Sequence, residues 1–258
     1  MTRMRENWIG LKTLVAKEVT RIFRIWSQTL IPPMITMTLY FVIFGSVIGA
    51  RVGKISGFNY MAYIAPGLIM MSVITNSYSN VVSSFFGAKF ARHVEELMVS
   101  PLPLTCILLG YMAGGMVRGL LTGALVTLVA LFFTHLDPAH PWIIITVALF
   151  TSAIFSLAGF TNAIFAKKFD DISIVPTFVL TPLTYLGGVF YSISLLPPFW
   201  RSLSRFNPIV YMVSAFRTGI LGIYTMPLDT AYAIMSLFLL GLFATNLWLL
   251  RRGIGLRS

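Results

Sequence analysis

Eight carboxylates, three histidines and one cysteine are the side chains in this sequence that would first be asked to relay a proton or hold a metal. Glu6, Glu18, Glu95, Glu96, Asp137, Asp170, Asp171 and Asp229 all read as loop or helix-end residues, as do His93, His135 and His140. There is no His-Glu-x-x-His helix, no Gly-x-Ser-x-Gly elbow and no Cys–His arrangement, so catalysis has no constellation to rest on. Cys106 stands alone, which excludes an intramolecular disulfide and a thiolate metal centre. The one Gly-Lys pair, Gly53-Lys54, is followed by Ile55, so it lacks the hydroxyl of a loop that cradles nucleotide phosphates. Proton-coupled transport usually takes an ionisable carboxylate inside the bilayer, and none is expected there. Catalytic, cofactor-binding and metal residues are expected to be none; a transport path through this chain would have to be driven from outside it.

The elements that position everything else are apolar. Of 258 residues 57% are hydrophobic and 10% charged, against about 25% charged in an ordinary soluble domain. Mean hydropathy is +0.84 and net charge +11, so lipid is the solvent for much of the chain. The first thirty residues interleave charge with apolar residues and do not read as a secretory signal peptide. Six windows satisfy the ~20 apolar residues that a bilayer core demands: 30–50, 61–86, 106–134, 142–166, 172–191 and 230–250. The fold class expected is an all-α membrane protein with six transmembrane helices.

With the N-terminus inside, thirteen of the 19 Lys and Arg fall on the cytoplasmic side: Arg3, Arg5, Lys12, Lys17, Arg21, Arg24, Lys89, Arg92, Lys167, Lys168, Arg251, Arg252 and Arg257. Arg51, Lys54, Arg201, Arg205 and Arg217 fall outside, and Arg118 within a span. This bias puts both termini in the cytoplasm. Segment 192–227 is ambiguous. Residues 207–226 read as a seventh span, or, because Pro197-Pro198 and Asn207-Pro208 interrupt the stretch, as part of two short re-entrant or interfacial helices on the outer face. The second reading keeps the tail, 251–258, inside. Before the first span, Trp8, Leu11, Val15, Val19, Ile22 and Trp26 recur at helical steps with Lys17, Arg21 and Arg24 opposite. That pattern describes an N-terminal amphipathic interfacial helix over residues 1–29; a soluble helix packed on a partner is the plainer reading. Pro32-Pro33 are expected at the start of the first span, where a missing N–H costs little.

Polar residues in the apolar windows mark where a path or a partner contact is expected. The second window carries Thr75, Asn76, Ser77, Tyr78, Ser79, Asn80, Ser83 and Ser84, which cannot all face lipid. Thr75, Asn76, Tyr78, Asn80 and Ser83, with Thr181, Thr184 and Tyr185 of the fifth window, are candidate pathway lining; interhelical hydrogen bonding is the alternative. Arg118 needs a cavity or a polar partner. Gly110, Gly114, Gly115, Gly119 and Gly123 suit close helix approach, within the chain or at a dimer seam. Asp170-Asp171 read as N-caps of the fifth span, or as a partner contact. Met70-Met71 read as packing residues. Loop 87–105, with a short helix through Arg92, His93, Glu95, Glu96 and Leu97 stopped by Pro101 and Pro103, presents charge and an apolar edge to a partner, or is a solvated loop with an Arg92–Glu96 pair.

The run from Ile172 through Pro176, Pro182, Gly187-Gly188 and Pro197-Pro198 to Trp200, followed by Asn207-Pro-Ile-Val-Tyr211 and Arg217, strongly resembles the ABC-2 type permease family. Phe85-Phe-Gly-Ala-Lys-Phe90 and Lys168-Phe-Asp-Asp-Ile172 extend a close likeness to that family's YadH-type branch over nearly the whole chain. The resemblance implies a half-transporter. Two copies of the permease would pair with two copies of a cytoplasmic ABC ATPase that binds ATP and Mg, this chain binding no cofactor and no nucleic acid. It further implies a multi-pass protein of the bacterial inner membrane, with 1–29 as a cytoplasmic connecting helix and 30–258 as the transmembrane domain. Arg92 to Leu97 would be the ATPase-coupling helix, and cargo would be an amphipathic, lipid-linked, saccharide or drug-like molecule exported by alternating access. The alternative from another class is a stand-alone channel or flippase-like protein without ATP.

Overall fold

Backbone amides in lipid have no water to bond, so apolar runs of this length close their hydrogen bonds within helices. The computed structural model describes residues 2–255; Arg257, and with it the end of the expected tail, lies outside the described residues. Helix α1 (Thr2–Arg24) meets α2 (Trp26–Tyr40) at Ile25, and α2 runs on through a wider, π-wound stretch, Phe41–Ile48, into α3 (Gly49–Val52). Pro32 and Pro33 therefore lie inside α2 and not at its start, which begins at Trp26. The buried Thr29 hydroxyl donates to the carbonyls of Ile22, Ile25 and Trp26, tying the α1–α2 junction just ahead of those prolines.

A two-residue hairpin follows, β1 (Lys54–Ile55) antiparallel to β2 (Phe58–Asn59), with Lys54 opposite Asn59 and Ile55 opposite Phe58. Ser56 (φ 50°) and Gly57 (φ 86°) are both left-handed, as a tight hairpin turn requires. This hairpin is a small departure from an all-helical chain, and it places Lys54 in a strand.

Helix α4 (Tyr60–Phe90) is the central rod, 31 residues long, with α6 (Leu104–Phe133) and α7 (Pro141–Phe165) packed along it. Phe85 stacks within 4.1 Å of Phe160 and edge-on to Tyr111 at 5.1 Å, joining α4, α7 and α6 in one core. The short α5 (His93–Val99) links α4 to α6, and α12 (Leu228–Arg252) closes the chain against α7. Among the described residues, four helices are long and apolar enough to cross a membrane: Trp26–Gly45, Leu104–Phe133, Pro141–Phe165 and Leu228–Arg252. This is an all-α membrane protein.

The fifth window departs from expectation. It forms α8 (Asp171–Val175), a π-wound stretch (Pro176–Leu180) and α9 (Thr181–Leu186), and stops five residues short of Tyr191. Gly187 and the left-handed Gly188 (φ 73°) turn the chain there. Beyond lie a 3-10 turn (Ile193–Leu195), α10 (Pro198–Arg205) and α11 (Pro208–Leu221), the two helical pieces that the paired prolines foretell. Asn207 caps α11 by accepting the Ile209 N–H at 3.0 Å, and its Nδ2 donates to the Leu183 carbonyl at 2.6 Å.

Candidate functional site

Close helix approach creates the interior polar seam. Gly110 and Gly114 of α6 lie against Leu14 and Glu18 of α1, while Gly115, Gly119 and Gly123 lie against Val81, Ser77 and Val73 of α4, and Gly115 also meets Ser156 of α7. The glycine run thus serves packing within the chain. It brings α1 so near that Glu18 is fully buried. The Glu18 carboxylate accepts the Ser84 hydroxyl at 2.7 Å and an Arg21 N–H at 3.3 Å. Arg21 Nη2 also donates to Asn80, at 2.8 Å to Oδ1 and 3.1 Å to the carbonyl.

Glu18 corrects the expectation that every acid lies in a loop or at a helix end. Helix α1 lies outside the apolar windows, but one face of it is covered by α6. Its buried line runs Leu14, Glu18, Ile22 at four-residue steps, a spacing visible in the sequence. The expected stripe is accordingly turned: Leu11, Val15 and Val19 are half-buried, while Trp8 and Trp26 are exposed at 67% and 55%. Arg21 folds inward, and Lys17 and Arg24 stay exposed.

Arg118 finds its polar partner in Asn76, whose Oδ1 accepts from Nη2 at 3.4 Å. Asn76 in turn donates to the Ser72 carbonyl at 3.0 Å. Of the candidate lining residues on α4, Asn76, Tyr78 and Asn80 are buried while Thr75 and Ser83 are exposed. Between Ala62 and Val82 the rod is buried except along a narrow line, Met71, Thr75 and Ser79, which continues at four-residue steps to Ser83 and Gly87. On α9, Thr184 is buried and donates to the Leu180 carbonyl at 2.7 Å; Thr181 and Tyr185 are exposed, and the Tyr185 hydroxyl lies 3.4 Å from that of Tyr40. Hydrogen bonds among the described residues join neither set to the other.

The 87–105 loop holds a helix, but one that starts later than expected. Arg92 is left-handed (φ 61°) and forms the joint before α5, so it is off the helix face, and no Arg92–Glu96 ion pair exists among the described residues. His93, Glu95 and Glu96 are exposed, Leu97 is half-buried, and Val94 points inward at 3% exposure. Glu95 and Glu96 sit in the first turn, where the helix dipole favours them.

Beside this joint is a cavity of about 750 Å³ lined by Phe86, Lys89, Phe90, Arg92, Phe165 and Lys167, among others. Lys89 donates to the Ile164 and Ala166 carbonyls at 2.6 and 2.8 Å, closing the end of α7. The aspartates do not cap as expected. Asp170 makes no capping bond, while Asp171 reaches back to accept the Lys167 and Lys168 N–H groups at 2.8 and 3.0 Å. The carboxylate finds the free amides of the turn before the helix, not those of the helix itself.

Arg217 is the other residue whose place the sequence did not reveal. It is 4% exposed on α11, lies 4.1 Å over the Tyr63 ring, and donates to the carbonyls of Tyr63 (3.3 Å), Gly188 (2.8 Å) and Val189 (3.5 Å). One guanidinium thus fixes the glycine turn against α4.

The ABC-2 type transporter family model matches residues 10–221. The chain is 58% identical over 256 residues, 99% of it and 100% of the relative, to the inner membrane transport permease YadH of Escherichia coli K12. It is 26% identical to nodulation protein J of Rhizobium leguminosarum bv. viciae over 81% of each chain. With the same-named protein of Sinorhizobium fredii it shares 28% identity over 69% of this chain and 68% of the relative.

Proposed function

This chain belongs to the ABC-2 type transporter family, and from that premise we propose that it is the membrane-spanning permease subunit of an ATP-binding cassette exporter in a bacterial inner membrane. The observation that carries the reading is the family match over residues 10–221 within an alignment that spans 99% of the chain. Hydrolysis belongs to a separate cytoplasmic ATPase that binds ATP and Mg, since this sequence has no phosphate-cradling loop. Two copies of each subunit assemble. In this reading 30–258 is the transmembrane domain and both termini are cytoplasmic. Helix α4 and the helical run 171–186 complete a set of six spans, and α10 and α11 re-enter from the outer face.

Cargo of amphipathic, lipid-linked, saccharide or drug-like character moves by alternating access. The exposed hydroxyl line on α4, with Thr181 and Tyr185, supports a path wall at the seam between copies, while Asn76, Tyr78, Asn80, Thr184 and Arg118 hold the wall in place. Helix α5, with Arg92 as its joint, receives the ATPase; exposed His93, Glu95 and Glu96 support that role. Charge reversal of Glu95 and Glu96 to Lys is expected to abolish co-purification with the ATPase, and undiminished assembly and ATP hydrolysis would remove the coupling role from α5. Transport by the purified chain in liposomes without ATPase or ATP would instead favour a channel or flippase-like protein.

A further inference from the structure

We infer that the cavity between the glycine turn, α10 and α11 binds an oxyanion of the phosphate class, carried on a small hydroxylated group. The cavity is about 470 Å³, and Arg201, Arg205 and Arg217 line it while none of its described lining residues is acidic. Three cations sharing one recess repel each other unless an anion enters, and the recess is partly shielded from water, which strengthens any such attraction.

Each guanidinium is positioned differently. Arg217 is held rigid by three backbone carbonyls and the Tyr63 ring, and it has no carboxylate at ion-pair distance among the described residues. Carbonyl dipoles stabilise it without cancelling its charge. Arg201 Nη2 donates to the Ser194 and Leu196 carbonyls, yet its Nε is buried with no partner. Arg205 is exposed at the end of α10 and its side chain makes no hydrogen bond among the described residues. A fork of N–H donors matches a planar or tetrahedral oxyanion, and charge-assisted bonds of this kind are about twice as strong as neutral ones. Ser192, Ser194, Ser214 and Thr225 also line the recess and suit the hydroxyls of a glycerol or sugar carrier. A neutral sugar would use these hydroxyls and leave the three charges uncompensated, so the anion decides the class. The site stands whether or not an ATPase drives the chain.

The purified chain in neutral detergent is titrated calorimetrically with sn-glycerol 3-phosphate. In parallel, its thermal unfolding is followed in nanodiscs of phosphatidylcholine with and without phosphatidylglycerol. Saturable binding of the soluble phosphate identifies a free ligand, and stabilisation by phosphatidylglycerol alone identifies a lipid headgroup; either supports the site. Arg205→Gln is expected to weaken the effect about tenfold, the loss of one charge-assisted contact, with Arg251→Gln, at the end of α12, as the unchanged control. Arg201→Gln is a second variant with the same expected loss. No response to either probe, or equal responses in the wild type, Arg205→Gln and Arg201→Gln, overturns the proposal.

Discussion

Glu18 accepts a hydroxyl from Ser84 and an N–H from Arg21 while Arg21 reaches on to Asn80, so the buried carboxylate binds α1 to α4 through two routes. Removing one partner strands the other in the interior, and Arg21, at 28% exposure, recovers only part of its hydration. Glu18→Ala is expected to lower stability by about 2–3 kcal/mol, read as an earlier thermal unfolding transition in detergent. Arg21→Ala in that background should add little, because the pair acts as a unit. Of the candidate residues, Arg118 was legible in its need for a cavity or a polar neighbour, but not in which residue, Asn76, would accept from it. Glu18 was legible only in its spacing with Leu14 and Ile22. Arg217 was not legible, because its partners are backbone carbonyls at Tyr63, Gly188 and Val189, which no side-chain pattern announces.

Among the elements, apolar run length located four helices to within a few residues. The windows 61–86, 106–134, 142–166 and 230–250 became Tyr60–Phe90, Leu104–Phe133, Pro141–Phe165 and Leu228–Arg252. Run length failed at the fifth because Gly187-Gly188 is apolar by composition yet turns by conformation. It failed again at α2, where Trp26 to Thr29 are helical without being part of an apolar run. Glycine also sets how closely elements pack. A methyl group at Gly159 would meet the Tyr78 carbonyl oxygen, backbone that cannot step aside, whereas one at Gly241 meets nothing within 4 Å. Gly159→Ala is therefore expected to push α7 from α4 at a cost of about 1–3 kcal/mol. Gly241→Ala should be neutral or stabilising by up to ~1 kcal/mol, from helix propensity. Thermal unfolding of the two variants side by side checks the contrast.

At the scale of the whole molecule, the apolar windows of Trp26–Gly45 and Leu228–Arg252 are each only 22% buried, so large faces of α2 and α12 await lipid or another subunit. The line of Thr75, Ser79 and Ser83 differs because it is polar, and lipid is a poor neighbour for it. With Cys106 replaced by Ser, Thr75→Cys or Ser83→Cys is expected to give an oxidised dimer on a denaturing gel, while the buried Ser77→Cys stays monomeric. If neither exposed position cross-links, that line does not meet a second copy.

The bond from Arg217 to the Tyr63 carbonyl spans 154 positions along the chain. A contact of such separation closes late, after the intervening helices have been threaded and packed. During synthesis, then, the glycine turn lacks its guanidinium anchor until α11 has emerged from the ribosome, and a truncated product ending before residue 217 would hold that turn without it, by contacts such as those with Tyr60 and Gly67.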